Sequence, residues 1–120
     1  MLPFDASGEF KTASGIEYKI LKAGTGASAE NAKHVQVWYD GRHVNNLEVF
    51  DSTSSNSTAV EFGLKYTIPG FARGIRLMHE GDIFLIKIPA GLAYGEKGSP
   101  PVIAPNEDLF FTIELVKVVD

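Results

Sequence analysis

The sequence predicts an α+β domain, an antiparallel sheet of five or six strands wrapped around one short helix. Three observations predict it. Apolar and polar residues alternate with period two in several short segments, the mark of half-buried strands. Only one segment carries the helical period. The strands follow one another without helices between them, which argues against a doubly wound parallel sheet. An antiparallel sheet with one face on the helix and the other in water fits the alternation.

The elements follow in order. Residues 1–13 mix Pro, Asp, Ser and Gly and read as a flexible N-terminal arm, so the folded domain spans 14–120. "GIEYKIL" alternates Ile16, Tyr18 and Ile20. "AGTGASAEN" is a glycine-rich turn region, and "HVQVWYDGRHV" alternates Val35, Val37 and Tyr39. Asn45 and Asn46 suggest a tight turn, with a short return strand through Val49 and Phe50. "DSTSSNST" reads as an exposed loop, and "AVEFGL" as a strand with Val60 and Phe62 on one face. In "IPGFARGIRLMHEG", Phe71, Ile75 and Met78 share one face of a helix of about three turns. Pro69 suits its first turn and Gly81 a stop past its end. Two strands close the chain: "DIFLIKIP", with Phe84, Ile86 and Ile88 on one face, and "DLFFTIELVKVV", with Leu109, Phe111, Ile113 and Leu115 on one face.

Composition narrows the function classes. The chain has 120 residues, enough for one domain, and 44% of them are hydrophobic, which is globular rather than disordered. A net charge of −4 argues against capture of nucleic-acid phosphates by the overall field. The absence of cysteine excludes disulfides, thiolate metal sites and thiol catalysis. No apolar run is long enough to span a bilayer, and the first residues carry no export signal, so a cytoplasmic protein is expected.

The usual catalytic parts are missing. His34, His43 and His79 form no metal pattern and read as surface residues. Glu107 and Asp108 are adjacent, point to opposite faces of an extended segment, and read as solvated loop charges. No metal or cofactor is expected. What remains is a set of aromatic residues at loop and element ends. Tyr94 sits in the glycine- and proline-rich loop "GLAYGEKGSPPVIAPN", Phe50 precedes Asp51 at a strand end, and Phe71 opens the helix after Ile68-Pro69-Gly70. Such residues line apolar small-ligand pockets.

"VFDST" (49–53), "YTIPGFARGIRLMHEGD" (66–82), "IPAGLAYGEKG" (88–98) and "IAPNEDLFFTIELVKV" (103–118) resemble the FKBP-type peptidyl-prolyl cis/trans isomerases. "SGIEYKILKAGTGA" (14–27) and "TIPGF" look most like the bacterial macrophage-infectivity-potentiator and periplasmic branch. The resemblance implies the half-barrel of that family and a pocket for a proline ring between helix and sheet. It implies Phe71 as the pocket floor, where many relatives have Trp, and Tyr39, Phe50, Phe62 and Phe111 as walls. Ile68 would be a wall and lend its backbone N–H. Tyr94 would lend its hydroxyl, and Asp51 would be the buried acid at the pocket edge. Val102 and Ile103 would be the apolar tips of the loop over the pocket. Asp51, Tyr94 and Phe71 would carry the catalysis. The implied partners are proline-containing peptides, unfolded proteins and macrolides such as FK506 and rapamycin, met by a monomer that binds neither nucleic acid nor membrane. The alternative is an FKBP-like protein-binding or chaperone module with weak isomerase activity.

Overall fold

The structure, a computed structural model, describes residues 2–120. Its strands are β1 (Lys11–Ala13), β2 (Ile16–Lys22), β3 (His34–His43), β4 (Val49–Ser52), β5 (Val60–Gly63), β6 (Ile83–Ile88) and β7 (Leu109–Val118). They form one antiparallel sheet, open rather than closed, in the order β1-β2-β6-β7-β3-β4. The two short strands β4 and β5 share one edge of β3. β5 pairs with His34–Val37 and β4 with Asp40–Arg42. The helix α1 (Pro69–Ile75) lies against the inner face of the sheet.

The alternation of the long strands sets that inner face. Val35 and Val37 of β3, Ile86 and Ile88 of β6, and Leu109, Ile113 and Leu115 of β7 are fully buried there, together with Ile75 and Met78. The helix approaches closely because Gly70 faces the sheet. A Cβ at Gly70 would stand 2.3 Å from Cγ2 of Ile88.

Three expectations change. The helix has seven residues rather than three turns. Past Ile75 the N–H groups of Leu77 and Met78 bond the carbonyls three residues back, so the chain tightens into turns while Met78 stays buried. The arm read as loose is docked. Lys11–Ala13 pairs with β2 as a further strand, too short to show alternation in the sequence. Phe4 meets the Phe110 ring edge-on at 5.5 Å, Phe10 lies 6.4 Å from it, and the Arg42 guanidinium covers Phe4. As a result the outer face of the sheet is not simply wet: Leu85, Phe110 and Thr112 are buried on it.

Local polar contacts also differ from the sequence reading. His43 is not a surface residue: its Nδ1 lies 2.8 Å from Oε1 of Glu107, and both side chains are largely covered. Asp108 is not merely solvated, since its Oδ1 accepts the Ala90 N–H. In the loop read as exposed, Thr53 is buried, with its Oγ1 accepting the Tyr39 N–H and its own N–H donating to the Tyr39 carbonyl.

Candidate functional site

An open cavity of about 320 Å³ lies between the start of α1 and the inner face of the sheet. Phe71 sits at its base. Being the third residue of α1, it is aimed at the sheet by the same helical face that buries Ile75. Its ring meets three others edge-on: Tyr39 at 5.6 Å, Phe62 at 5.7 Å and Phe111 at 5.3 Å. Edge-to-face contact suits the aromatic quadrupoles and locks each ring against its neighbours. Three strands supply those walls: β3 gives Tyr39, β5 gives Phe62 and β7 gives Phe111.

Asp51 reaches the rim through an irregularity of pairing. Between Gly41 and Arg42 the register of β3 with β4 shifts. A bulge lets two successive residues face one partner. Here Phe50 and Asp51 both come to the inner side of Gly41. Glycine is needed at 41, because a Cβ there would stand 2.8 Å from both the Phe50 and Phe111 rings. Asp51 accepts the Tyr39 hydroxyl at 2.6 Å. It is an exposed acid rather than the buried one expected, since the short β4 ends at the sheet edge beside open solvent. Tyr39 is held protonated well beyond the ordinary range of a phenol, first by burial, then by the hydrogen bond to Asp51 and that carboxylate's charge. The phenol is therefore a fixed donor to Asp51.

Ile68 stands at the N-cap of α1 in extended conformation. Its carbonyl accepts the N–H groups of Phe71 and Ala72, while its own N–H has no acceptor among the described residues. Tyr94 follows a short 3-10 turn, Ala90–Leu92, and lines the cavity from the opposite side, 40% exposed.

The structure thus gathers Phe71, Tyr39, Phe62, Phe111, Ile68, Asp51 and Tyr94 around one cavity. Three expected members stand elsewhere. Phe50 lies behind the wall, edge-on to Phe111 at 5.7 Å. Val102 is at the tip of the following loop, 51% exposed, and does not reach the lining. Ile103 is not a tip at all: it is 2% exposed and part of the core. Ser99 and Ile103 exchange both backbone hydrogen bonds, which turns Ile103 inward and leaves Val102 outside. Two lining residues were missed, Tyr66 and Thr67. Tyr66 is 79% exposed, with Lys65 Nζ 5.0 Å from its ring centre. Their signal was adjacency to "IPGF"; the turn at Leu64–Tyr66 that presents them has no sequence period.

Comparison with known proteins decides the family. The family model of the FKBP-type peptidyl-prolyl cis-trans isomerases matches residues 26–116, most of the chain. The chain belongs to the FKBP-type isomerase family. Over 107 residues it is 42% identical to a probable FKBP-type peptidyl-prolyl cis-trans isomerase, FkpA, of Neisseria meningitidis, covering 89% of this chain and 39% of that protein. It is 42% identical over 106 residues to the peptidyl-prolyl cis-trans isomerase Mip of Coxiella burnetii, covering 88% of this chain and 46% of that one. A solved peptidyl-prolyl cis-trans isomerase from Pseudomonas syringae superposes with a TM-score of 0.83 at 32% identity, over 96% of this chain and 84% of that one. The chain spans less than half the length of the two curated relatives it matches here. No helix among the described residues is long and apolar enough to cross a membrane.

Proposed function

We propose that this FKBP-family domain is a peptidyl-prolyl cis-trans isomerase and that its cavity seats a substrate proline ring on Phe71. The observation that carries the reading is the cage of edge-on rings around Phe71, open on one side and bordered by the free Ile68 N–H. The X–Pro bond turns slowly because amide resonance must be broken, a barrier of about 18–20 kcal/mol. The twisted amide loses part of the charge separation of the planar one. An apolar cage favours that less polar state, so it binds the transition state better than the substrate. Each ~1.4 kcal/mol of that preference is tenfold in rate. No nucleophile enters. Ile68 N–H and the Tyr94 hydroxyl hold carbonyls of the bound peptide, while Asp51 and Tyr39 keep the rim in one geometry. All of the lining residues come from one chain, and action as a monomer is part of the proposal.

An isomerisation assay with a proline tetrapeptide tests this. A rate above the uncatalysed one, lost in Tyr94→Ala and Asp51→Val, is expected. A rate equal to background in the folded wild type overturns it. The same cage supports binding of macrolides such as FK506 and rapamycin. With phenylalanine as floor the contact area is smaller than an indole offers, so Phe71→Trp tightens macrolide binding by calorimetry more than it changes kcat/KM. Proline-containing peptides and unfolded chains are the proposed substrates. One of the relatives is an outer membrane protein of Legionella longbeachae, 39% identical over 105 residues, so the relatives do not confirm a cytoplasmic location.

A second reading, a protein-binding module with weak isomerase activity, draws on the exposed Tyr66 beside the cavity and Val102 on the neighbouring loop. Suppression of client aggregation that survives Phe71→Ala favours it.

A further inference from the structure

A second cavity, of about 300 Å³, opens on the other side of β3. Strand alternation puts it there. Tyr39 faces the proline cavity; Trp38 and Asp40, its neighbours in the chain, face outward. The register pairs Trp38 with Glu114 and Asp40 with Thr112 across β3 and β7. Trp38, Asp40 and Glu114 therefore stand on one small patch, with the diagonal pair about 7–8 Å apart by ordinary sheet geometry. Thr53, Ser54 and Asn56 form one polar rim, and Leu2 an apolar one.

Asp40 is the unusual member. It is 3% exposed. Its Oδ1 accepts the Ser52 hydroxyl, but Oδ2 has no hydrogen-bond partner among the described residues. A buried carboxylate oxygen left without a donor is costly. No cation of the described residues comes within ion-pair distance of Asp40 or Glu114. Arg42, the next outward residue on β3, gives Nη1 to the Leu47 carbonyl and lies over the Phe4 ring instead, and its Nε is likewise buried without a hydrogen-bond partner among the described residues. The cavity thus joins an under-satisfied buried acceptor, a second carboxylate and an indole.

We propose that this outer cavity binds a guanidinium group, an arginine side chain presented by a polypeptide. A guanidinium brings planar, fork-like donors for the two carboxylates and a delocalised cation for the face of Trp38. The volume admits one long side chain. The protein's net charge of −4 favours the approach of a basic partner. The site shares strands β3 and β7 with the proline cavity but none of its lining residues, so it stands whether or not the isomerase reading does.

Trp38 is the only tryptophan, so intrinsic fluorescence reads this cavity directly. The test titrates the full chain with N-acetyl-arginine amide, then with a short arginine-containing peptide lacking proline. The neutral citrulline isostere serves as control. A saturable change with a dissociation constant on the order of 1 mM or tighter is expected for the arginine ligands. Citrulline should give none, and salt should weaken the response. Asp40→Asn keeps an acceptor for Ser52 and should weaken binding roughly tenfold or more. Because Asp40 is buried, its variant is checked for native circular dichroism. Glu114→Gln, less buried, supplies a second reading with a smaller loss in the same direction. If the peptide saturates the site and the free amide does not, the ligand is a polypeptide arginine, as proposed. Absence of saturation by both arginine ligands in the folded wild type overturns the proposal. So does an equal response to citrulline, or unchanged binding in both variants.

Discussion

Tyr39 joins the floor of the proline cavity to its rim. Its ring packs edge-on against Phe71, its hydroxyl donates to Asp51, and its backbone is bracketed by Thr53. Burial and the Asp51 carboxylate raise its pKa above the phenol's ordinary value. A raised folded pKa means that its contribution to stability is fully present below the unfolded value of about 10, and is lost as pH rises toward the folded one. Equilibrium unfolding against pH should therefore fall more steeply above pH about 10 in the wild type than in Tyr39→Phe. Parallel curves would mean that the hydroxyl carries no such linkage. At Tyr94 the expected change is kinetic. Tyr94→Phe keeps the ring at the cavity wall and removes one donor, so kcat/KM should drop several-fold to about tenfold at unchanged stability. An unaltered kcat/KM would remove the hydroxyl from the mechanism.

At the scale of elements, α1 decides where Phe71 stands. The helix is too short to hold alone in water and depends on its packing. Gly70 allows that packing by letting the backbone come down on Ile88. In Gly70→Ala the new methyl must displace Ile88 or lift the helix, and such overpacking costs about 1–3 kcal/mol. A lowered denaturant midpoint with reduced isomerase activity is the expected result, since lifting α1 moves the cavity floor as well. Retained stability would show that Ile88 yields freely. The bulge in β4 plays the corresponding part for Asp51. Neither device was legible in advance. The helical period located α1 through Phe71 and Ile75, yet Met78 continued the period beyond the helix because a tight turn can bury it equally well.

For the whole molecule, the sheet separates two environments. The inner face carries the core and the proline cavity; the outer face carries Phe110, covered by the N-terminal arm. Lys19 ties that arm down further by bonding the Asp5 and Ser7 carbonyls, and hydrogen bonds from Ser7, with Lys19 nearby, hold Asp5 down to about 2. Removing residues 1–10 should strip Phe110 and lower stability by about 1.5–3 kcal/mol, the value of one buried aromatic. Isomerase activity should remain within a few-fold, because every residue lining the cavity lies further along the chain. Thermal unfolding with a parallel rate assay checks both. An unchanged unfolding temperature would mean that the arm does not cover Phe110 in solution. Trp38 belongs to the outer face, so its fluorescence should stay nearly silent when a ligand fills the proline cavity.

By itself the sequence determined the strand faces, the single helix and the aromatic makeup of the site. Alternation and helical period express which side chains leave water, and that preference is local to each segment. The family motifs single out Phe71, Tyr39, Phe62, Phe111, Ile68, Asp51 and Tyr94, which line one cavity in the structure. The tertiary structure alone decided the rest. It turned Ile103 into the core while leaving Val102 outside, seated Phe50 behind the wall, exposed Asp51, and brought Tyr66 to the rim. It also paired His43 with Glu107 and docked the arm. Each of these depends on a partner distant in the chain or on a one-residue shift of register. Neither leaves a period in the sequence, because the energy resides in the contact rather than in the segment.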